Sequence, residues 1–528
     1  MNNLHLRRRW MWFAALAAPL AAFLAAMVFG DPRTALLART TLTLAASVVA
    51  CAVPLGTALA WLLFRTNLPL RRTMAAGLSL LLFLPLYVQM GAWQAGFGGS
   101  GWLRTWWGGP VLVDGWLGAV IVHTAAAVPW VAAIVGVGMR LIEPELEESA
   151  LLDTGPWRVL WHVTLPGARG AIGVAALWVA VSVTGEMTVT DLFRVRTLAE
   201  ELYTEYAVEP GVLPLRLLPM MAITAGLIVA GLALAAGLMP TERPGSFRRS
   251  AVMRLQASRG PCFMAAALLT SLLVLTPIAS LVQAAGESFV PDSKGQVQRQ
   301  WSLAVCLARV NAIPTDERYY QDIRWSLELV TLAACCALIL AVPPAWLARR
   351  GGWRAWPAWM LAALLWAIPG PLLGHGLVLL LNQPDWPLLS RLYDDRRFAP
   401  VAALTMKALP LTLLIVWHGL RGIPREMLEA AELDGAGPLA RLFRVALPQR
   451  WTLLASGWLA GWAVAFADLG AVLIVLPPGV DMVAPQVFRL LHDGRKQDMA
   501  ALCLALLPLF ALIALLLRQL TRRRGPTA

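Results

Sequence analysis

Residues 428–448 read "LEAAELDGAGPLARLFRVALP", a charged stretch with a Gly-x-Gly break, set between two strongly apolar runs. A weaker copy, "LEESALLDTGPWRVLWHVTLP", occupies residues 146–166. In the second copy Pro424 suits a first helical turn, where its missing N–H has no partner to lose. "REMLEAAEL" is built mostly of good helix formers. Asp434-Gly435 breaks it, because glycine readily takes the conformations that close a helix. Pro438 then opens "PLARLFRVA", and Leu447-Pro448 is expected to end that helix before the next apolar run. The first copy repeats the plan with Pro144, "ELEESALL", a turn at Thr154-Gly155, and Pro156 opening "WRVLWHV". Each stretch therefore reads as a helix–turn–helix elbow. Exposed apolar residues such as Leu151, Leu152, Leu428 and Leu433 need a partner surface. Headgroups could serve a single elbow, but two elbows at matched positions favour two equivalent protein surfaces.

The surrounding chain is greasy. Of 528 residues, 58% are hydrophobic and 14% charged, against about 25% charged in soluble domains. Net charge is +13. The surplus is almost entirely arginine scattered in short loops, which suits membrane orientation better than nucleic acid. Only Lys294, Lys407 and Lys496 are lysine. The six cysteines show no ligand or redox spacing, with Cys306 expected in a polar loop. Apolar runs of spanning length fall near 10–29, 41–64, 74–93, 115–139, 169–190 and 216–238. Six more fall near 261–284, 326–347, 356–381, 399–420, 451–476 and 498–518, after a polar break at 240–260. Arg7, Arg8 and Arg9 place the start inside, and alternation then puts Arg65, Arg71, Arg72, both elbows, and Arg522, Arg523 and Arg524 inside too. Removing the first run as a signal peptide would invert every later loop, so it is read as an uncleaved helix. The expected fold is an all-α polytopic membrane protein of about twelve transmembrane helices, with both termini cytoplasmic.

The two halves repeat. With Glu148 set on Glu429, Pro129 falls on Pro410, Gly138 on Gly419, Arg140 on Arg421, Ile142 on Ile423 and Asp153 on Asp434. One residue slips, and the copies rejoin at Leu165-Pro166 and Leu447-Pro448. Glu186 and Asp468 each follow those prolines by twenty residues, and "AWLLFR" (60–65) answers "AWLARR" (345–350). Same-order spans in both halves imply two parallel six-helix repeats.

"EAAELDGAGPLARLFRVALP" resembles the EAA loop of ABC importer permeases, the inner-membrane components of binding-protein-dependent transport systems. Glu429, Ala430, Ala431, Gly435, Val445, Leu447 and Pro448 fit that pattern, and Asp434 and Gly437 complete the turn. In the first loop Glu148, Ala150, Asp153, Gly155, Leu165 and Pro166 correspond, but Ser149 replaces an alanine and Thr154 stands where glycine is expected. The resemblance implies the type I fold in its fused two-half form. It divides the chain into a tail and first helix (1–40), a first permease domain (41–239), and a linker with the seventh helix and a periplasmic loop (240–325). A second permease domain (326–520) and a tail (521–528) follow. It implies a multi-pass protein of the bacterial inner membrane, two copies of a cytoplasmic ATPase docked on the elbows, and an external substrate-binding protein. No GxxxxGK[ST] loop occurs, so ATP and Mg belong to the partner ATPase and no cofactor is expected on this chain. The fused layout, with "RVRTLAEELYTEY" and "VDMVAPQVFRLLHDGR" after the fifth and eleventh spans, is similar to ferric-iron-type permeases. Thiamine, polyamine and phosphonate permeases are the alternatives.

Glu186 and Asp468 are read within their spans, where an ionisable group costs about 2.5–3.5 kcal/mol or more and normally faces a cavity or a partner. Both fall well past the midpoint of their spans, nearer the outside, and either line a path between the halves, pair locally or sit at the outer headgroup level. His123 and Lys407, without evident partners, are read as structural. Pro85 and Pro369 are expected to kink helices around the path. A gradient-driven transporter would need no ATPase, and "RTNLPLRR" does not match the loop motif such carriers often bear. A membrane-embedded enzyme lacks a clustered catalytic set.

Overall fold

The computed structural model describes residues 32–140, 142–208, 224, 252–291, 297–351 and 355–522. Among these, seven helices are long and apolar enough to cross a membrane, or nine if each of two bent pairs counts as one span. The expected runs near 10–29 and 216–238 lie outside the described residues. The run near 451–476 is a shorter helix, Trp451–Ala467. Among the described residues the spans number seven to nine, and the helical membrane architecture is as expected.

The chain divides into two compact units. The first comprises Met1–Glu201, Ala230–Asp316 and Val487–Leu507, and the second Leu202–Val229, Glu317–Gln486 and Pro508–Ala528. In the first unit the helices Pro32–Arg65, Gly115–Arg140 and Leu165–Thr184 pack on one another. In the second, Glu317–Ala348, Phe398–Arg421 and Trp451–Ala467 form the corresponding trio. The repeated glycines mark where these helices cross. A Cβ on Gly138 would collide with Ala171, and one on Gly419 with Leu453, at matched places in the two trios. Small residues at such crossings let helix backbones approach where lipid offers no hydrophobic drive. One hydrogen bond repeats as well. Thr41 Oγ1 accepts the Leu198 N–H at 3.0 Å, and Ser326 Oγ accepts the Val483 N–H at 2.8 Å.

Pro85 and Pro369 do more than kink their helices. Each stands at the start of a new helix, and the axes turn by 107° between Arg71–Leu81 and Leu86–Trp107 and by 101° between Trp356–Ala367 and Gly370–Leu381. Proline lacks the N–H that would bond the preceding turn, so carbonyls are freed there and must find other donors. The Gln89 side chain donates to Leu84 O at 2.9 Å, and Lys407 Nζ donates to Ile368 O at 2.7 Å.

The all-α expectation has one local exception. Glu287–Pro291 pairs antiparallel with Val297–Trp301. Buried Glu287 anchors this hairpin through Lys496 at 3.0 Å and Arg299 at 3.2 Å. Cys306, expected in a loop, is buried in the helix Leu303–Ala312 that follows.

Candidate functional site

Both elbows form as helix–turn–helix units. The first has the helix Pro144–Asp153, then Thr154 and Gly155 in extended conformations, then Pro156–Val159. The second has Arg425–Leu433, a turn through Asp434 to Gly437, then Pro438–Ala440. The turns differ. Gly435 takes φ +83°, its N–H reaches Glu432 O at 3.0 Å, and the Ala436 N–H reaches Ala431 O at 2.9 Å. This paired closure needs a left-handed residue, which glycine supplies without a Cβ penalty. The first elbow closes without it. Thr154 caps its own helix, with N–H and Oγ1 both donating to Ala150 O at 2.9 Å.

Leu447-Pro448 stands at the end of its helix as expected, whereas Leu165-Pro166 does not end the first elbow's helix. A π-helical turn, Leu160–Thr164 or Arg441–Ala446, precedes each one. The wider turn accommodates a proline that can neither donate nor fit against the preceding carbonyl. In the first elbow the chain then runs on as Leu165–Thr184, so Pro156–Thr184 forms one continuous span. In the second it breaks at Arg450 (φ −111°, ψ 19°) before Trp451–Ala467 begins.

Four matched positions expose large apolar side chains on both elbows. Leu146 answers Met427, Leu152 answers Leu433, Trp157 answers Leu439 and Trp161 answers Phe443. Leu152 and Leu433 are 88% and 89% exposed, so the repeat preserves the projection as well as the residue type. Glu148, Asp153, Gly155 and Pro166 are exposed beside them, as are Glu429, Ala430, Asp434, Gly435, Gly437 and Pro448. Ala150, Leu165, Ala431 and Leu447 are half-buried, forming the inner side of each elbow.

The supports beneath the elbows are unequal. Under the first, Glu147 and Arg65 form a fully buried ion pair at 2.8 Å. Thr164 Oγ1 donates to the other Glu147 oxygen at 2.8 Å, and Arg65 also donates to Met139 O. Burial pushes the Glu147 carboxyl up, while Arg65 and Thr164 oppose that shift by favouring the charged form. The end of the linker joins this platform. The Met253 N–H donates to Arg65 O at 2.8 Å at the helix end, Met253 O accepts the Asn67 N–H at 3.2 Å, and Trp157 Nε1 donates to Ser258 Oγ at 3.3 Å. In the second half Leu428, Ala446 and Arg350 stand where Glu147, Thr164 and Arg65 stand in the first, and Arg350 is exposed. The second elbow is tied instead by Arg441 to Glu432 within itself and by Arg450 to Gly422 O. Arg65 entered the sequence reading only as an inside-facing charge. Its pairing with Glu147 joins residues far apart in sequence and carried no local signal.

Glu186 and Asp468 lie just past the ends of their helices, rather than inside spans. Glu186 accepts the N–H groups of Thr188 and Val189 at 2.7 and 3.0 Å, starting the short helix Thr188–Leu192. Asp468 accepts the Ala471 N–H at 3.0 Å before Val472–Val475. Each acid also faces a base. Buried His123 Nε2 lies 3.8 Å from Glu186, and Lys407 interacts electrostatically with Asp468. His123 and Lys407 thus have the partners the sequence did not reveal. In repeat register they differ by one helical turn, which puts them on the same face, and that offset was the available signal.

Residues 331–525 match the family profile of binding-protein-dependent transport system inner membrane components. A protein named for 2-aminoethylphosphonate transport, the permease PhnV of Salmonella typhimurium, is 26% identical over 206 residues, 38% of this chain and 75% of that one. Its counterpart in Salmonella typhi matches to the same extent. The sn-glycerol-3-phosphate transport system permease protein UgpA of Escherichia coli is 43% identical over 51 residues, 10% of this chain and 17% of that one.

Proposed function

We propose that the chain is an ABC importer inner-membrane permease of the type I fold and that its two elbows are the docking points for two copies of a cytoplasmic ATPase. The observation that carries this reading is the paired exposure of Leu146, Leu152, Trp157 and Trp161 against Met427, Leu433, Leu439 and Phe443. Apolar side chains of that size, projected identically from two repeats, fit two identical grooves. ATP and Mg are then bound by the partner, and an external binding protein delivers the cargo. In this reading the protein sits in the bacterial inner membrane, with the elbows and both termini cytoplasmic.

For the cargo we favour an organophosphorus anion, because the relatives described above are named for phosphonate and glycerol-phosphate transport. This replaces ferric iron, suggested by the fused layout, as the leading reading. Glu186 and Asp468, with Pro85 and Pro369, are proposed to border the translocation path, since each acid sits at a helix break beside a base. ATP hydrolysis by the reconstituted complex tests these points together. Stimulation by 2-aminoethylphosphonate, and not by ferric iron, is expected, with loss on Leu433→Asp. Equal stimulation by iron would overturn the cargo reading. Hydrolysis unaffected by Leu433→Asp and Leu152→Asp together would overturn the docking reading. Transport unchanged by Glu186→Gln with Asp468→Asn would remove the acids from the path.

A further inference from the structure

A cavity of ≈ 510 Å3 opens in the first unit at the end opposite the first elbow. Helices Pro32–Arg65 and Gly115–Arg140 both begin beside it and both finish at the elbow. It therefore lies where spanning helices leave the membrane, at headgroup depth. One wall is apolar, made by Leu37, Phe193 and Val195, with Leu36 and Trp116 exposed at the mouth. Arg33, Arg194 and Arg196 supply the positive charge. The lone acid among the lining residues, Glu201, is 1% exposed and pairs with Arg33 and, at 3.9 Å, with Arg196. Three guanidiniums against one carboxylate leave the lining with an excess of two positive charges (3 − 1).

The repeat shows that the scaffold does not require this charge. Thr41–Leu198 and Ser326–Val483 are matched hydrogen bonds, so residues counted from them correspond. Arg33 answers Arg318, but Arg194 answers Gly479, Arg196 answers Asp481 and Glu201 answers Gln486. Gly479 takes φ +79°, and Arg194 holds the same left-handed region at φ +56°, which side chains other than glycine rarely adopt. The first half thus keeps an arginine where its own repeat uses the residue that fits the backbone without strain.

We propose that this cavity binds one anionic phospholipid, its phosphate on Arg194 and Arg196 and an acyl chain along Leu36, Trp116 and Phe193. Guanidinium matches a phosphate in charge and in forked geometry. Tryptophan and basic residues at span ends are suited to the headgroup zone. The apolar wall singles out a lipid, because a free phosphate or phosphonate would engage the arginines and leave that wall unused.

The full-length chain, purified in neutral detergent and stripped of lipid, tests this. It is titrated with phosphatidylglycerol, phosphatidylcholine and methylphosphonate, with retained lipid read by native mass spectrometry and stability by the unfolding midpoint. One retained phosphatidylglycerol and a raised midpoint are expected, with phosphatidylcholine binding at least about tenfold more weakly. Arg194→Gly, which installs the second half's residue and relieves the backbone, should keep the lipid-free midpoint and weaken phosphatidylglycerol about tenfold. Arg196→Asp should weaken it at least as much, and Arg318→Gln in the second half should change nothing. Equal binding of the two lipids, variants that bind like the parent, or methylphosphonate binding as tightly as phosphatidylglycerol would each overturn the proposal.

Discussion

The first elbow rests on a buried ion pair and a brace from the linker, whereas the second is tied by Arg441 to Glu432 and by Arg450 to Gly422 O. Both present the same four apolar positions outward. Under the proposed docking, one outer surface on two different supports would give the partner equivalent docking points joined to the spans by unequal linkages. In the first, the elbow's second helix and the span are one continuous helix, Pro156–Thr184, so displacement of that helix carries into the span. In the second, the break at Arg450 places a joint between them. The better match to the family's loop pattern belongs to the jointed elbow, so fidelity of motif and rigidity of attachment are separate properties.

The largest expected effect breaks the support of the first elbow alone. Glu147→Ala leaves Arg65 buried without its partner and should cost about 3–5 kcal/mol, read as a lower unfolding midpoint. Leu428→Ala, at the matching half-buried position, should cost less. Arg65→Met combined with Glu147→Leu should recover most of the loss, because an apolar pair replaces the ionic one. If the double variant is as unstable as Glu147→Ala, the pair is not what holds the elbow.

Next comes the shared surface. Leu152→Asp and Leu433→Asp each remove a side chain whose burial is worth about 1.5–3 kcal/mol, so each should weaken ATPase association by roughly tenfold or more. Their exposures are equal, so their effects should match. A large effect from only one of them would make the docking points unequal as well as the linkages.

The turns give a smaller contrast. Gly435→Val places a branched side chain at φ +83° and should cost about 1–2 kcal/mol, while Gly155→Val, at φ −74°, should stay within about 0.5 kcal/mol. Unfolding midpoints of the two variants compare them directly.

The smallest difference is a pH dependence confined to the first unit. His492 Nε2 lies 3.0 Å from Asp191, and that hydrogen bond raises the imidazole above its ordinary value. A raised folded-state value means that the stabilisation is fully present below the ordinary histidine range and is lost as pH rises through the raised value. Unfolding midpoints measured from acid through neutral to mildly alkaline pH should show this small decline, and Asp191→Asn should flatten it.

Much of this architecture was written locally. Gly138 and Gly419 marked the repeat, Pro85 and Pro369 marked kinks, and the elbow helices began and turned where proline, aspartate and glycine required. Such features depend on one residue and its immediate backbone, so a linear reading captures them. The lapses were also local. Leu-Pro predicts a stop, which holds in the second elbow, but in the first a π turn absorbs the proline and the helix runs on. Glu186 and Asp468 were placed within spans because the apolar runs continue past them, yet each terminates a helix and caps the next.

By itself, then, the sequence determined the membrane environment, the repeat, the two elbows and the prolines at which helices break, because hydrophobicity and backbone preference act within a few residues. Only the tertiary structure decided which buried charges meet. Arg65 finds Glu147, Lys407 serves both Ile368 O and Asp468, and Arg33 joins Arg196 around Glu201. Those pairings follow from burial, which makes an unpartnered charge costly and lets a helix bundle bring its partner from a distant part of the chain.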